Sequence, residues 1–142
     1  MILGIDHIGL ATAEPDRTGA QLAALGLHRT DEGTADAYRV ACSFWSLPGD
    51  PAGAAVELVS PTGPGSAVEG RLRGPGPGFY HLALTVDDLA EETARMRASG
   101  FLVLDAEPCR GARPGMRVVF VYAPEPADLL VELVHYAPDP AR

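Results

Sequence analysis

The chain has 142 residues, the size of one domain, and 46% of them are hydrophobic, so a core can form without a disulfide framework. The formal net charge of -8 argues against a nucleic-acid surface, which needs a basic face, and no apolar run approaches the ~20 residues that span a bilayer. Cys42 and Cys109 are far apart and the first residues lack the basic flank of a signal peptide, so we expect a soluble protein of the reducing cytoplasm.

The first module, about residues 1–60, has the predicted order β-α-β-β-β. It opens with a strand at about 4–12, in which His7 points away from Ile8. A helix is predicted from Pro15, which suits a first helical turn, to about Leu25, because Gly26 suits a left-handed stop. The remaining strands of this module are predicted near residues 28–32, 38–47 and 54–60.

A linker, residues 61–77, is rich in Pro, Gly and small polar residues and contains one short candidate helix near 66–72. The second module, about 78–136, repeats the order of the first. Its helix is predicted over Asp87–Ser99, with Asp87 or Asp88 as N-cap, and its strands near 79–86, 101–105, 116–122 and 129–135. The fold class is α+β, a single domain of two tandem βαβββ modules that bury their uncovered sheet faces against one another.

An internal repeat places one histidine and one glutamate in corresponding positions of the two modules. The segment around His7, Ile5–Leu10, recurs 74 positions later as the segment around His81, and the segment around Glu57 recurs 75 positions later around Glu132. In each module the histidine lies on the first predicted strand and the glutamate on the last. If those strands curl toward each other, the four side chains meet.

Two imidazoles and two carboxylates suit a divalent transition metal such as Co, Ni, Zn, Mn or Fe, and leave about two open positions of an octahedral shell for a substrate. Taken singly, each histidine is more often a hydrogen-bonded strand residue than a ligand. Glu57 and Glu132, however, lie inside apolar runs, where an unpaired charge is costly. The recurrence of all four in register favours a metal site, which stabilises the negative charge formed when a C–H beside a bound carbonyl loses its proton.

Four stretches of the sequence also match a known family: Ile5–Ala11, Gly78–Leu84, Glu107-Pro108 followed by Gly111, and Leu130–Leu133. They resemble the vicinal oxygen chelate superfamily of glyoxalases, bleomycin resistance proteins and dioxygenases, and in particular its methylmalonyl-CoA epimerases. The resemblance covers nearly the whole chain. It implies a cupped mixed sheet around one divalent metal per chain, commonly in a homodimer, with the ligands at His7, Glu57, His81 and Glu132.

Two departures from the epimerase pattern bear on the catalytic base and the substrate. Where some bacterial epimerases place a strand glutamate regarded as a base, this chain reads Val40-Ala41-Cys42-Ser43, so a base would have to be Glu57 or Glu132. Where the family usually has His-Pro-Lys, the chain has the segment 122–128, which begins with Tyr122. Acyl-CoA recognition therefore does not follow directly from the resemblance.

Four side chains are candidate substrate contacts, each with an alternative interpretation. Arg110 and Arg113, in the loop 107–115, would contact an anionic group or would simply be solvated. Trp45 would form part of a cavity wall or would belong to ordinary core packing. Tyr122 belongs to the altered segment. By strand alternation Asp6 points away from His7 and is expected to be a local hydrogen-bond acceptor rather than a ligand.

These observations predict a metal-dependent isomerase or epimerase that removes and returns a proton beside a carbonyl of a small molecule, such as an acyl thioester. Glu57 and Glu132 are expected to be ligands, and one of them also the base. One alternative is a cyclase or lyase of specialised metabolism that keeps the fold and has a changed pocket. Another is a non-catalytic binding protein, such as a drug-sequestering resistance protein, against which the complete ligand set argues.

Overall fold

A computed structural model describes residues 1–50 and 52–138, and within them the chain forms one mixed sheet of nine strands. The strands are β1 (Ile2–Ala11), β2 (His28–Ala35), β3 (Val40–Ser46), β4 (Ala55–Pro61), β5 (Gly78–Val86), β6 (Leu102–Val103), β7 (Cys109–Arg110), β8 (Met116–Ala123) and β9 (Leu129–Tyr136). The helices are α1 (Pro15–Ala24), α2 (Glu69–Arg73) and α3 (Leu89–Ala98), with a 3₁₀ turn at Asp36–Tyr38. None of these helices is long and apolar enough to cross a membrane.

The strand order is β2-β3-β4-β1-β5-β9-β8-β6, with β7 paired to β8, so the two modules lie side by side in one sheet. Each module contributes one parallel pair, β1 with β4 and β5 with β9. The modules join through the antiparallel pairing of β1 with β5. The predicted α+β fold of two βαβββ modules is confirmed, and the four strands that carry the repeated His and Glu residues are neighbours at the centre of the sheet.

Local signals place the two long helices where the sequence predicts them. Pro15 occupies the first turn of α1, and Gly26 takes a left-handed φ of 98° just beyond its end. The side chain of Asp88 caps α3 by accepting a hydrogen bond of 2.8 Å from the backbone N–H of Glu91, and Gly100 follows with a φ of 90°. The helix starts and stops therefore follow from caps and glycines visible in the sequence.

Helices cover part of one face of the sheet, α1 against β4 and α3 against β6, β8 and β9, and the opposite face is concave. On the covered side of the second module, α3 contributes Met96 to a buried cluster that also includes Val121 and Leu133. On the covered side of the first module, Trp45 packs against α1, where a Cβ at Gly19 would lie 2.8 Å from Cζ2 of Trp45. Phe44, the neighbour of Trp45, points the other way and is fully buried.

Among the elements that differ from the sequence-based expectation are β2, β6 and β7. β2 extends to Ala35, three residues beyond the predicted end, because it pairs with β3 along that whole length although its side chains are mostly exposed. β6 has only two residues, and β7, which was not predicted, also has two. Two residues are too few to show an alternating pattern, so such strands are detected by their backbone pairing with β8 and not by their sequence.

We expect Leu133→Ala to lower the free energy of unfolding by about 2–5 kcal/mol, because it removes a fully buried side chain from the cluster under α3. The matched control is Leu25→Ala, since the Leu25 side chain is 73% exposed and its truncation leaves no cavity. Urea unfolding followed by circular dichroism measures both. An equal loss of unfolding free energy in the two variants would contradict the packing of Leu133 in this cluster.

Candidate metal centre

Four side chains from the two modules converge at the centre of the sheet: His7, Glu57, His81 and Glu132. One ligand atom from each lies within 4.8 Å of all the others. All four residues are buried, with exposures between 0% and 4%. The structure therefore brings together the complete set that the repeat predicts.

Strand register explains why these four side chains meet. In the pairings of β1 with β4 and β5, Gly9 stands opposite both Glu57 and His81. In the pairings of β5 with β1 and β9, Ala83 stands opposite both His7 and Glu132. Each small residue lies two positions after its module's histidine, and it leaves room above the sheet for the large side chains around it.

The donor atoms face one another at short range. Nε2 of His81 lies 2.8 Å from Oε2 of Glu132 and 3.3 Å from Oε1 of Glu57. Nε2 of His7 lies 3.3 Å and 3.4 Å from the same two oxygens, and the two Nε2 atoms are 3.1 Å apart. Bonds of about 2.1 Å to one ion at right angles would separate adjacent donors by about 3.0 Å, so these spacings fit one coordination shell.

The charge of the cluster also suits a divalent cation. Two carboxylates buried this deeply need compensation, because an isolated buried charge is strongly unfavourable. The imidazole and carboxylate donors are those that Co, Ni, Zn, Mn and Fe accept. His7, Glu57, His81 and Glu132 are the residues that would hold such an ion.

Asp6 is the hydrogen-bond partner of the other ring nitrogen of His7. Its Oδ1 lies 2.6 Å from Nδ1 of His7, which leaves Nε2 to face the cluster. Simple alternation pointed Asp6 away from His7, but the register of β1 against β5 shifts between Ile5 and His7, and this irregularity brings the two side chains together. Burial alone would raise the pKa of Asp6, but the hydrogen bond with His7 and the charge of Arg113 lower it.

Within the cluster, the imidazoles and the carboxylates stabilise one another in their charged forms. Burial tends to lower the pKa of His7, but hydrogen bonds to Asp6, Glu132 and Glu57 raise it to about 12. The charge and hydrogen bonds of the two glutamates likewise overcome burial and raise the pKa of His81 to about 9. In turn, the histidines lower the pKa of both Glu57 and Glu132 against the effect of burial.

One face of the cluster opens into a cavity of about 280 Å³. Glu57, His81 and Glu132 contribute to its lining, whereas the rest of the wall is largely apolar. That wall includes Val40, Cys42, Val59, Met116, Val118, Phe120 and Leu130. A small molecule in the cavity would therefore meet three of the four candidate ligands and an apolar surface.

Polar groups other than the candidate ligands are few in this cavity. The hydroxyl of Tyr38 donates to Oδ2 of Asp105 at 2.9 Å, and both residues belong to the lining, as does Tyr80. Burial raises the pKa of Tyr38, Tyr80 and Cys42, so these groups remain protonated. Glu57, Glu132 and Asp105 are the lining carboxylates in the part of the chain that the structure describes.

The four candidate substrate contacts do not line this cavity, and a role for them in substrate binding stays a prediction. Arg110 is exposed on β7, and Tyr122 on β8 is half-buried and donates through its hydroxyl to Asp128. Trp45 packs on α1, on the face opposite the cavity, because Phe44 takes the inward position of β3. Arg113 lies on the outer side of His7, 3.2 Å from Oδ1 of Asp6, where charge pairing holds it.

Gly9 is the site residue that the sequence analysis did not single out. A Cβ built on it would lie 2.6 Å from Nδ1 of His81, so the imidazole packs directly on the backbone of β1. A glycine inside a strand is a signal of such close approach, and it was available in the sequence. The roles of Phe120 and Asp105 had no comparable local signal.

A family model matches residues 6–120, which is most of the chain, and its description is the glyoxalase, bleomycin resistance protein and dioxygenase superfamily. The chain belongs to this superfamily. The resemblance inferred from the histidine and glutamate segments is thereby confirmed, and the cupped sheet is the glyoxalase-like fold that the resemblance implied.

Several relatives within the superfamily are methylmalonyl-CoA epimerases. The mitochondrial enzyme of Dictyostelium discoideum is 34% identical over 79 residues, which are 55% of this chain and 47% of that protein, so the match spans about half the length of that relative. The crystal structure of the Mycobacterium tuberculosis epimerase has a TM-score of 0.85 at 28% identity, covering 96% of this chain and 90% of that one. A Streptomyces coelicolor epimerase in complex with 2-nitronate-propionyl-CoA has the same TM-score at 29% identity, covering 96% and 99%.

Gly9→Ala is expected to weaken metal binding by the glyoxalase-like site while leaving the fold intact, because the new methyl group would push the imidazole of His81 out of the cluster. Gly4→Ala is the matched control on the same strand, since nothing lies within 4 Å of a Cβ there. We expect at least a tenfold loss of Co²⁺ affinity in the first variant only. Equal affinity in both variants would show that His81 does not depend on Gly9.

Metal uptake should release protons and become tighter as the pH rises. Both imidazoles carry a proton at pH 7 because their pKa values lie near 12 and 9, and a metal binds only the neutral ring. The glutamates are already ionised, because their pKa values are lowered. Calorimetry in two buffers of different ionisation enthalpy should detect about two protons per ion, and affinity should rise about tenfold per pH unit for each proton displaced. Binding without proton release would contradict these protonation states.

Proposed function

We propose that the protein is a divalent-metal-dependent epimerase that acts on the proton beside the carbonyl of an acyl thioester, as its methylmalonyl-CoA epimerase relatives do. The observation that carries the proposal is the meeting of His7, Glu57, His81 and Glu132 at one end of an apolar cavity. One solved relative is a methylmalonyl-CoA epimerase in complex with methylmalonyl-CoA and NH₄⁺, and it covers 97% of this chain.

The metal, when bound, stabilises the negative charge on a carbonyl oxygen as the neighbouring C–H is deprotonated. The protein's own part begins with orientation. The candidate ligands lie at one end of the cavity, and apolar side chains such as Val118 and Phe120 line the rest. This wall limits the access of water to the enolate intermediate and directs the carbonyl end of the substrate to the candidate ligands.

One of the two glutamates acts as the base in this proposal. A carboxylate oxygen of one glutamate takes the proton from the α-carbon and becomes a carboxylic acid, while the C–H electron pair becomes part of an enolate. The same acid gives the proton back to the α-carbon after the enolate has turned its other face toward it, which restores the carboxylate and inverts the centre. Glu57 and Glu132 are suited to these roles because both line the cavity, both are ionised, and the repeat places them on strands from different modules. Cys42 and Tyr38 are not suited as bases, because burial raises the pKa of each.

A cyclase or lyase of specialised metabolism with the same fold is the second candidate. It is favoured by the cavity positions of Val40 and Cys42, which occupy the strand where some epimerases have an additional glutamate. At these positions the cavity of this chain has apolar side chains, where those epimerases have an additional acid–base group. The two candidates differ in the reaction that follows proton removal, so they share the metal site and are separated by product analysis.

We also propose a homodimer in the cytoplasm. Large apolar side chains are exposed on the two central strands, among them Leu3, Ile5, Ile8 and Phe79, and a second copy of the chain would cover them. Light scattering coupled to gel filtration tests this. Cys42 and Cys109 are free thiols, which suits a reducing compartment.

The first experiment is metal analysis of untagged protein purified without chelators, by inductively coupled plasma mass spectrometry. We expect about one Co, Ni, Zn, Mn or Fe per chain, and its loss in the Glu57→Ala/Glu132→Ala variant, because that variant lacks half of the candidate ligands. Metal-free wild-type protein that also fails to take up added Co²⁺, Ni²⁺, Zn²⁺ or Mn²⁺ would overturn the metal centre.

The reaction itself is tested by exchange in heavy water. The loaded protein should incorporate deuterium at the α-carbon of (2R)- or (2S)-methylmalonyl-CoA or of a related acyl thioester, followed by NMR or mass spectrometry. Glu132→Gln and Glu57→Gln should slow exchange unequally, by 10²-fold or more for the base, since general acid–base groups contribute on that scale. A metal-loaded protein that exchanges no α-proton across acyl thioesters and hemithioacetals would rule out the epimerase.

A further inference from the structure

We infer that Arg113 is a positioning residue for the metal centre, which fixes the imidazole of His7 through two separate contacts, one with Asp6 and one with Phe44. The inference rests on the proposed metal centre and goes beyond the proposed reaction. It also replaces the expectation that Arg113 contacts an anionic substrate group.

The polar contact is a closed triangle behind His7. Oδ1 of Asp6 accepts from Nδ1 of His7 at 2.6 Å, from Nη1 of Arg113 at 3.2 Å and from the hydroxyl of Tyr136 at 3.2 Å. Arg113 also donates to the Tyr136 hydroxyl at 3.1 Å. With this partner on its Nδ1, His7 presents Nε2 to the cluster, and ligating histidines held in this way are better oriented and more basic.

The second contact of Arg113 is with the aromatic ring of Phe44. Cζ of Arg113 lies 3.8 Å from the ring centroid of Phe44, close enough for a cation–π contact. The fully buried Phe44 ring meets the His7 ring edge to face, with centroids 5.4 Å apart and planes at 86°. The guanidinium group therefore supports the imidazole from two directions, by a hydrogen-bonded carboxylate and by a packed ring.

Arg113 lies on the loop that also forms part of the cavity wall. Gly111 and Ala112, its neighbours, line the cavity. The loop is held tightly: a Cβ at Gly33 would collide with the carbonyl oxygen of Ala112, and one at Gly111 would lie 2.6 Å from Cγ of Met116. Since the same short segment shapes the cavity and supports His7, movement of this wall would be transmitted to the metal ligand.

His7 and His81 differ in whether the Nδ1 atom has a hydrogen-bond partner. Nδ1 of His81 is buried and has no hydrogen-bond partner in the described residues, whereas Nδ1 of His7 has Asp6. A hydrogen bond to Nδ1 therefore orients His7 but not His81, although the repeat makes the two histidines equivalent in sequence. Arg113 comes from the second module, so the support also crosses between modules.

The test measures Co²⁺ affinity against a competing chelator, together with the visible absorption bands of the bound ion. Arg113→Gln should weaken binding about 10-fold or more and shift the bands, since changes behind a metal-ligating histidine typically cost 10–100-fold in affinity. Arg113→Lys should recover part of the affinity, because it restores the charge beside Asp6 but not the planar contact with Phe44. Arg110→Gln is the matched control, an exposed arginine three residues away, and should leave both readouts unchanged.

A double-variant comparison shows whether Arg113 acts through Asp6. Asp6→Asn should itself weaken Co²⁺ binding, and adding Arg113→Gln to it should cost less than Arg113→Gln alone. If circular dichroism shows that Arg113→Gln does not fold, Tyr136→Phe and Arg113→Lys carry the same test with smaller changes. Wild-type affinity and bands in the folded variants, or full additivity with Asp6→Asn, would overturn the inference.

These outcomes are distinct from failure of the proposed reaction. A wild-type protein that binds Co²⁺, loses affinity in Arg113→Gln and exchanges no α-proton would support Arg113 as a positioning residue and remove the epimerase. A wild-type protein that binds no Co²⁺ would overturn both the metal centre and this inference.

Discussion

The antiparallel pairing of β1 with β5 is the constraint on which the rest of the structure depends. It joins the two modules into one sheet and places β4 and β9 on either side, so that all four strands bearing the candidate ligands are neighbours. A shift of one residue in this pairing would turn one histidine to the other face, because successive side chains of a strand alternate. The register of a single strand pair thus decides whether the four candidate ligands converge.

Charge balance follows from that geometry. The pairing forces two buried carboxylates and two buried imidazoles into one small volume, and each pair keeps the other ionised when no metal is present. The four side chains are therefore held together by their own charges, and a bound ion would replace the protons of the imidazoles. The same four side chains contribute to the buried interior of the fold and to the proposed metal centre, so the fold itself arranges the candidate ligands.

Much of the fold and of the candidate site could be predicted from the sequence because the repeat carries the information twice. Pro15, Gly26, Asp88 and Gly100 mark the helix ends, and the paired His and Glu residues mark the cluster. The loop containing Arg113 could not be placed in the same way, since its position depends on close contacts with β2 and β8 that leave no periodic pattern. Trp45 was ambiguous because alternation along β3 separates two faces without telling which one lines the cavity.

The unpartnered Nδ1 of His81 makes the two imidazoles unequal as ligands, within the residues that the structure describes. An imidazole held by a carboxylate on one nitrogen donates more strongly through the other, so a metal held by these residues would bind His7 more firmly than His81. His81 also lines the cavity and rests on Gly9 without a Cβ between them. We therefore expect His81 to be the more labile ligand of a bound ion. Exchange of the ion would begin with loss of His81, and an incoming substrate would displace His81 before His7.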